Sequence, residues 1–562
     1  MSLRTATATA LFFSIVAGGC ALAASPRPLE LKRVSLDLPG PPSAVISADL
    51  NGDKVNDLLV VIAYTEWGSV SEDRIEALVQ IVDVVPALFD HREARAWLGD
   101  GHGGYVAVPK AFPLPTSVLS LEAGPSAAPI VALTDDGVAI LRVTRDGGEP
   151  VLVLEPRISD PPVLAGTGTF VPDLGLTHDL DGDGELDLLL PAADGVAVYL
   201  WGSHGFGTTA AQRIPLPGDR RMTGRSPSRS YPLADVRDLD RDHKVDLVVR
   251  ERGSAGDAFY LLRGEGQGRF GKPQRMSKNC LLRAASGAAT KPAERVEPSK
   301  KKKKKEETHS ENVGAASELI FLGDLDSDGT VEAVAQTESD EGDGLKEAKE
   351  PHFSLSFFRA SSGLVFPAQP YAKFNVVGYA FGGSWPDVSE DGLRDLDGDG
   401  RLDLVTVTLD FSIFQVLRVL ATKKVSIGVD FHIWSQGPDG RFTQVEGLDL
   451  SETLRLDLND VKLSRFAEFG GDFDGDGRID FVHLGRGKEV TIHRGTPGCR
   501  YAKKPDLVVE LAEEPQDLAL VRVTDLDGDG RADLAVTRPL TNDDEGASAP
   551  VRLDLYLSGG AR

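Results

Sequence analysis

Cysteine is scarce: Cys20, Cys280 and Cys499 are the only three in 562 residues. Cys280 and Cys499 could pair in an oxidising compartment. They lie in different parts of the chain and nothing in the sequence places them together, so a pair and two free or buried thiols both stay open. Long apolar runs are missing too. After Ala24 none approaches the roughly 20 residues a membrane-spanning helix needs. Positive charge is in deficit, with 61 Lys and Arg against 86 Asp and Glu and a net charge of −25. A polyanion such as nucleic acid is therefore excluded as the expected partner. No HExxH and no GxSxG occurs, and the ten histidines are scattered without paired spacing, so neither a zincin nor a serine-hydrolase site is expected.

What the chain does have is acid in one arrangement. The stretch DLDGDGELDLLL, Asp179–Leu190, sets aspartates at every second position, follows them with glycine, and ends in an apolar run. Four carboxylates within nine residues neither bury unpaired nor sit comfortably together in water. A hard divalent cation resolves both problems, because Ca²⁺ takes six to eight oxygens from carboxylates, carbonyls and water. Six further copies begin at Asp49, Asp238, Asp324, Asp395, Asp472 and Asp525.

Counting the first aspartate as position 1, each candidate calcium site uses side chains at positions 1, 3, 5 and 9 and the carbonyl at position 7. The sets are Asp49, Asn51, Asp53, Val55 and Asp57; Asp179, Asp181, Asp183, Glu185 and Asp187; and Asp238, Asp240, Asp242, Lys244 and Asp246. They continue with Asp324, Asp326, Asp328, Thr330 and Glu332; Asp395, Asp397, Asp399, Arg401 and Asp403; Asp472, Asp474, Asp476, Arg478 and Asp480; and Asp525, Asp527, Asp529, Arg531 and Asp533. An EF-hand would carry glutamate at position 12 and then enter a helix. Here position 12 is Val60 or Leu190 and the continuation is strand-forming, so these are strand–turn–strand sites closed at position 9. Seven ions would cancel roughly fourteen negative charges, which removes acidity as an argument for a cationic partner.

Each loop sits in a larger repeat. A short apolar strand precedes it, as in AVISADL (Ala44–Leu50) or ALVRVTDL (Ala519–Leu526), and a second strand follows. A third such as VAVYLWG (Val196–Gly202) leads through a glycine turn to a fourth, TTAAQRIPL (Thr208–Leu216). Four short strands with glycine turns, repeated, predict an all-β propeller. An extra unit, Gly137–Pro156, has lost its acids, which makes eight blades, with seven as the alternative. The last third strand, Leu553–Gly560, lacks a fourth; Leu29–Leu38 is expected to supply it and close the ring by pairing the chain ends.

Loops and glycine turns together resemble the FG-GAP/VCBS repeat family, which includes the blades of integrin α-subunit heads and many bacterial surface proteins. The resemblance covers nearly all of the chain after residue 24. It departs at Lys54, Arg241 and His243, which replace loop glycines or their neighbours, and at Asn51 and Glu332; weaker binding is expected at the Asp49 and Asp238 sites.

Residues 1–24 read as a signal peptide: Arg4, the apolar core Ala10–Val16, and a small-residue site at Ala21–Ala23. Cleavage near Ala23 or Ala24 is expected, with a lipid anchor at Cys20 as the alternative. The protein is thus expected to be exported, whether periplasmic, secreted or at the cell surface. Residues 25–562 form one propeller with insertions at Thr65–Arg95, Asp219–Tyr231, Ser277–Ser317 (Lys-rich, disordered), Thr337–Pro351 (acidic), Thr408–Asp430 and Arg538–Pro550. Two insertions read as helical, on the stripes Ile75, Leu78, Val79, Val82 and Ile413, Val416, Leu417, Leu420. Strand alternation puts every insertion on the face opposite the loops. The expected function is non-enzymatic binding, adhesion or scaffolding, with protein or glycan as partner on that face. The alternative is a polysaccharide lyase, for which the sequence offers only scattered arginines such as Arg220, Arg221 and Arg225. Trp201, Trp385 and Trp434 are expected to pack rather than to stack on sugars, and the GxGxxG match at Gly266–Gly271 is expected to be a hairpin turn.

Overall fold

A computed structural model describes residues 29–40, 42–64, 91–166, 170, 174–192, 195–216, 234–240, 242–251, 258–277, 317–338, 352–361, 366–367, 369–380, 393–410, 424–447, 450–457, 462–463, 467–484, 488–512, 521–537 and 551–559. Among them there is no helix, and so none long and apolar enough to cross a membrane.

They form eight antiparallel blades. The first is built on Pro42–Ala48, Asp57–Tyr64 and His91–Gly99, with two short strands, Tyr105–Ala107 and Phe112–Pro113, sharing the fourth position. The second runs Val118–Ala123, Ile130–Thr134, Gly137–Asp146 and Glu149–Ser159, so the blade without acids is complete. The third and fourth centre on Asp187–Ala192 and Asp246–Glu251, the fifth on Glu332–Glu338, the sixth on Asp403–Asp410, the seventh on Asp480–Leu484. The eighth takes Val521–Thr524, Asp533–Thr537 and Val551–Ser558 from the C-terminal end and Leu31–Leu38 from the N-terminal end. That closing ladder runs from Leu31↔Ser558 to Leu38↔Val551. Asp554, nearly buried, fixes it by accepting from Arg33 at 3.0 Å and from Ser35 Oγ at 2.5 Å.

The number of blades follows from side-chain alternation. In Asp57–Tyr64, Leu58, Val60 and Ile62 pack with Leu36, Leu553 and Leu555 of the eighth blade, whereas Leu59 and Val61 pack with Leu121 and Ile130 of the second. All five are 0% exposed, since a blade is covered on both faces. The same division recurs at each boundary, giving eight apolar clusters for eight blades. A ring of seven is excluded because the second blade owns two of these boundaries. Its Glu122 accepts from Leu174 and Leu176 of the third blade at 2.9 and 2.6 Å.

Every acidic loop joins a first strand to a second, at one end of its blade. The second-to-third connection leaves from the other end, as at Tyr64↔His91 and Asp410↔Gly428. The insertions are shorter than expected at their edges. His91–Arg95, Thr337–Glu338, Thr408–Asp410 and Lys424–Asp430 are paired strand rather than insertion, because Val425, Ile427 and Val429 continue a strand alternation into Phe431 and Ile433. Lys424, expected inside the Thr408–Asp430 insertion, opens a thirteen-residue strand. The stripes at 75–82 and 413–420, the Lys-rich run at 300–305, Arg220, Arg221, Arg225, Trp385, Cys20 and Cys280 lie outside the described residues.

Candidate metal centre

The loops share one geometry, set by the aspartates themselves. Asp179 takes the amides of Gly182 and Gly184 on its two oxygens at 2.7 and 3.1 Å. Asp181 takes Asp183 N at 3.2 Å and Asp183 takes Glu185 N at 2.9 Å. These local bonds fold nine residues into a tight bend. The position 7 residues Val55, Glu185, Lys244, Thr330, Arg401, Arg478 and Arg531 each donate their amide to the position 5 carboxylate, at 2.8–3.0 Å.

Carboxylates that are turned together remain. One oxygen from each of Asp179, Asp181 and Asp187 lies within 4.8 Å of the others, and the same holds for Asp238, Asp240 and Asp246, for Asp324, Asp326 and Glu332, and for Asp395, Asp397 and Asp399. Asp326, Asp397 and Asp474, all at position 3, each keep a buried Oδ1 with no hydrogen-bond partner in the chain. A buried anionic oxygen without a donor is costly. An oxygen-preferring cation fits that donor set. Burial is also the main cause that pushes Asp57, Asp187 and Asp403 up to about 6, and Asp480 and Asp533 up to about 7, with neighbouring loop aspartates raising them further.

Position 9 does more than the sequence suggested. One oxygen of each takes the amide of the buried position 2 residue: Leu50, Leu180, Leu239, Leu325, Leu396, Phe473 and Leu526, at 2.8–3.1 Å. In six loops the other oxygen takes an amide near the end of the third strand: Gly99, Trp201, Gly264, Gln436, Gly495 and Ser558, at 2.6–2.9 Å. The carboxylate thus clamps three strands of a blade. The signal was present, since position 9 always opens the apolar second strand, but its partner lies 14 to 42 residues away.

Neighbouring loops are tied together. Leu402 donates to Leu325 O at 3.0 Å, Ile479 to Leu396 O at 3.0 Å and Ala532 to Asp472 O at 2.8 Å. Ser47 Oγ reaches Leu526 O at 2.6 Å across the ring closure, and Ser126 of the second blade donates to Glu185 at 2.8 Å.

Position 6 is glycine in five loops, with φ of 81–89°. Lys54 and His243 hold φ of 69° and 63° there. A side chain in this left-handed region costs about 1–2 kcal/mol, part of which glycine gives back as unfolded-state entropy. Lys54→Gly is expected to stabilise the first blade by about 0.5–1 kcal/mol, read as a higher denaturation midpoint; a lower midpoint would contradict it.

The remaining residues singled out in the sequence pack. Trp201 meets Phe206 edge-on at 4.9 Å, and Trp434 meets Phe374 at 5.2 Å while donating to Thr406 Oγ1 at 3.1 Å. Gly264–Gly266 and Arg269–Phe270 pair as a small hairpin. Cys499 is a buried free thiol that donates to Asp403 at 3.0 Å across the blade boundary.

An eight-bladed β-propeller with acidic hairpin loops is the class this architecture defines. Residues 472–536, from position 1 of one loop through the second strand of the next blade, match the FG-GAP-like repeat, and they lie within an eight-bladed propeller. No curated protein matches it in sequence. Among solved structures it is similar to an Agrocybe aegerita lectin described as recognising non-reducing terminal N-acetylglucosamine, at 18% identity over 78% of this chain and 91% of that one, TM-score 0.37. It is also similar to the Bacteroides ovatus protein described as Xyloglucan PUL GH43B, at 9% identity over 94% and 97%, TM-score 0.20. Neither likeness reaches the level at which it says anything of this chain's chemistry.

Proposed function

We propose that the protein is an exported propeller whose acidic loops hold Ca²⁺ and stiffen one face, leaving the opposite face to bind a protein or a glycan. The observation that carries this reading is the set of turned-together carboxylates with donorless buried oxygens, repeated around one face and tied from blade to blade by hydrogen bonds. Position 1, 3, 5 and 9 carboxylates and the position 7 carbonyl would hold the ion, and it would supply the charge balance that those carboxylates lack. Long connections leave from the other ends of the strands, and connections of this kind usually carry recognition.

The test is a pull-down and glycan array with the mature protein, each run in Ca²⁺ and in EGTA, alongside acidic polysaccharides monitored by ultraviolet absorbance. Calcium-dependent capture without change in the ligand is expected. Unsaturated sugar products would overturn the binding reading in favour of a lyase.

A further inference from the structure

The residue facing position 9 across the second and third strands differs among the loops. Glu332 pairs with Arg359 directly. Extending the other ladders by one pair puts Leu98, Leu200 and Leu557 opposite Asp57, Asp187 and Asp533, and Ser435 opposite Asp403. Arginine recurs opposite Asp246 and Asp480, as Arg263 and Arg494, where each pairs with the position 3 aspartate.

Arg359 meets three carboxylates. Its Nε donates to Glu332 Oε1 at 2.7 Å, one terminal nitrogen to Asp326 Oδ2 at 2.7 Å, and the other lies 3.1 Å from Asp328 Oδ2. All three guanidinium nitrogens thus engage a different carboxylate of one loop. The ring of Tyr371 lies 5.2 Å from the guanidinium carbon and covers it. Two departures from the other loops coincide here. Position 9 is glutamate, one methylene longer, and its second oxygen takes a side-chain donor where six loops take a backbone amide. The longer acid brings its oxygen out to the arginine, and the arginine fills the space between three acids.

We infer that Arg359 is the resident cation of the Asp324 loop, so that the fifth blade is closed without a divalent ion. A guanidinium already tethered beside these acids forfeits no freedom of translation, and its planar fork matches carboxylates. A Ca²⁺ ion entering the loop would have to displace these contacts or sit against a like charge. The inference rests on the reading that the other loops take Ca²⁺.

Hydrogen exchange of the whole protein, stripped by EGTA and then reloaded with Ca²⁺, tests it. The hairpin 395–403 is expected to gain at least tenfold protection on loading, and 324–332 to change less than twofold. Equal gains in both would overturn the inference; no gain in either would instead sink the calcium reading itself. Arg359→Leu, which copies the Asp49, Asp179 and Asp525 loops, is expected to make 324–332 calcium-responsive and to add one ion per chain by equilibrium dialysis. A folded Arg359→Leu protein with an unchanged ion count would also overturn it.

Discussion

Asp533→Ala is expected to destabilise the protein by about 2–5 kcal/mol, because two buried amides lose their acceptor at about 1–3 kcal/mol each. Asp533 is 0% exposed and takes Leu526 N at 2.8 Å and Ser558 N at 2.6 Å. Ser558 ends the strand on which the N-terminal strand closes the ring. The clamp and the closure therefore fail together. Removing a buried charge offsets part of this. The offset is the smaller effect, since burial has pushed Asp533 up to about 7 and much of its charge is already lost near neutrality. Asp533→Asn, which keeps one acceptor, should cost less than the alanine change. Denaturant unfolding of both variants checks this; an alanine variant within about 0.5 kcal/mol of the parent would remove the clamp.

The second large effect is expected from calcium and pH together. In EGTA at pH 8 the thermal midpoint should lie well below that in millimolar Ca²⁺, and the gap should narrow toward pH 5. The sign comes from the position 9 acids. Their folded pKa values, about 6 for Asp57, Asp187 and Asp403 and about 7 for Asp480 and Asp533, stand above the ordinary carboxylate value near 4. Between about pH 4 and 7 the folded state therefore holds more protons than the unfolded one, and stability of the ion-free protein falls as pH rises through that window. An ion that neutralises the loops removes this loss, so its benefit is greatest at high pH. Coincident melting curves with and without Ca²⁺ at pH 8 would count against metal in the loops.

Much of this was legible along the chain because it is local. Aspartate at alternate positions beside glycine favours a bend, and a short apolar continuation that lacks the EF-hand glutamate favours strand. The closing role of Leu31–Leu38 was readable as well, since a third strand without a fourth requires one from elsewhere. The insertion edge at Lys424–Asp430 was misplaced because pattern alone does not separate an insertion from a strand whose two faces are both covered.

Residue order alone was enough to place the acidic bends, which are governed by contacts within a few residues, and to set the blade as the repeating unit, because its strand-and-turn pattern recurs along the chain. The folded ring was needed to learn that position 9 binds backbone from the third strand, and that Arg359 meets three acids of the Asp324 loop. Those partners are brought together by register between strands whose separation varies with the length of each insertion, and no fixed spacing in the chain encodes it.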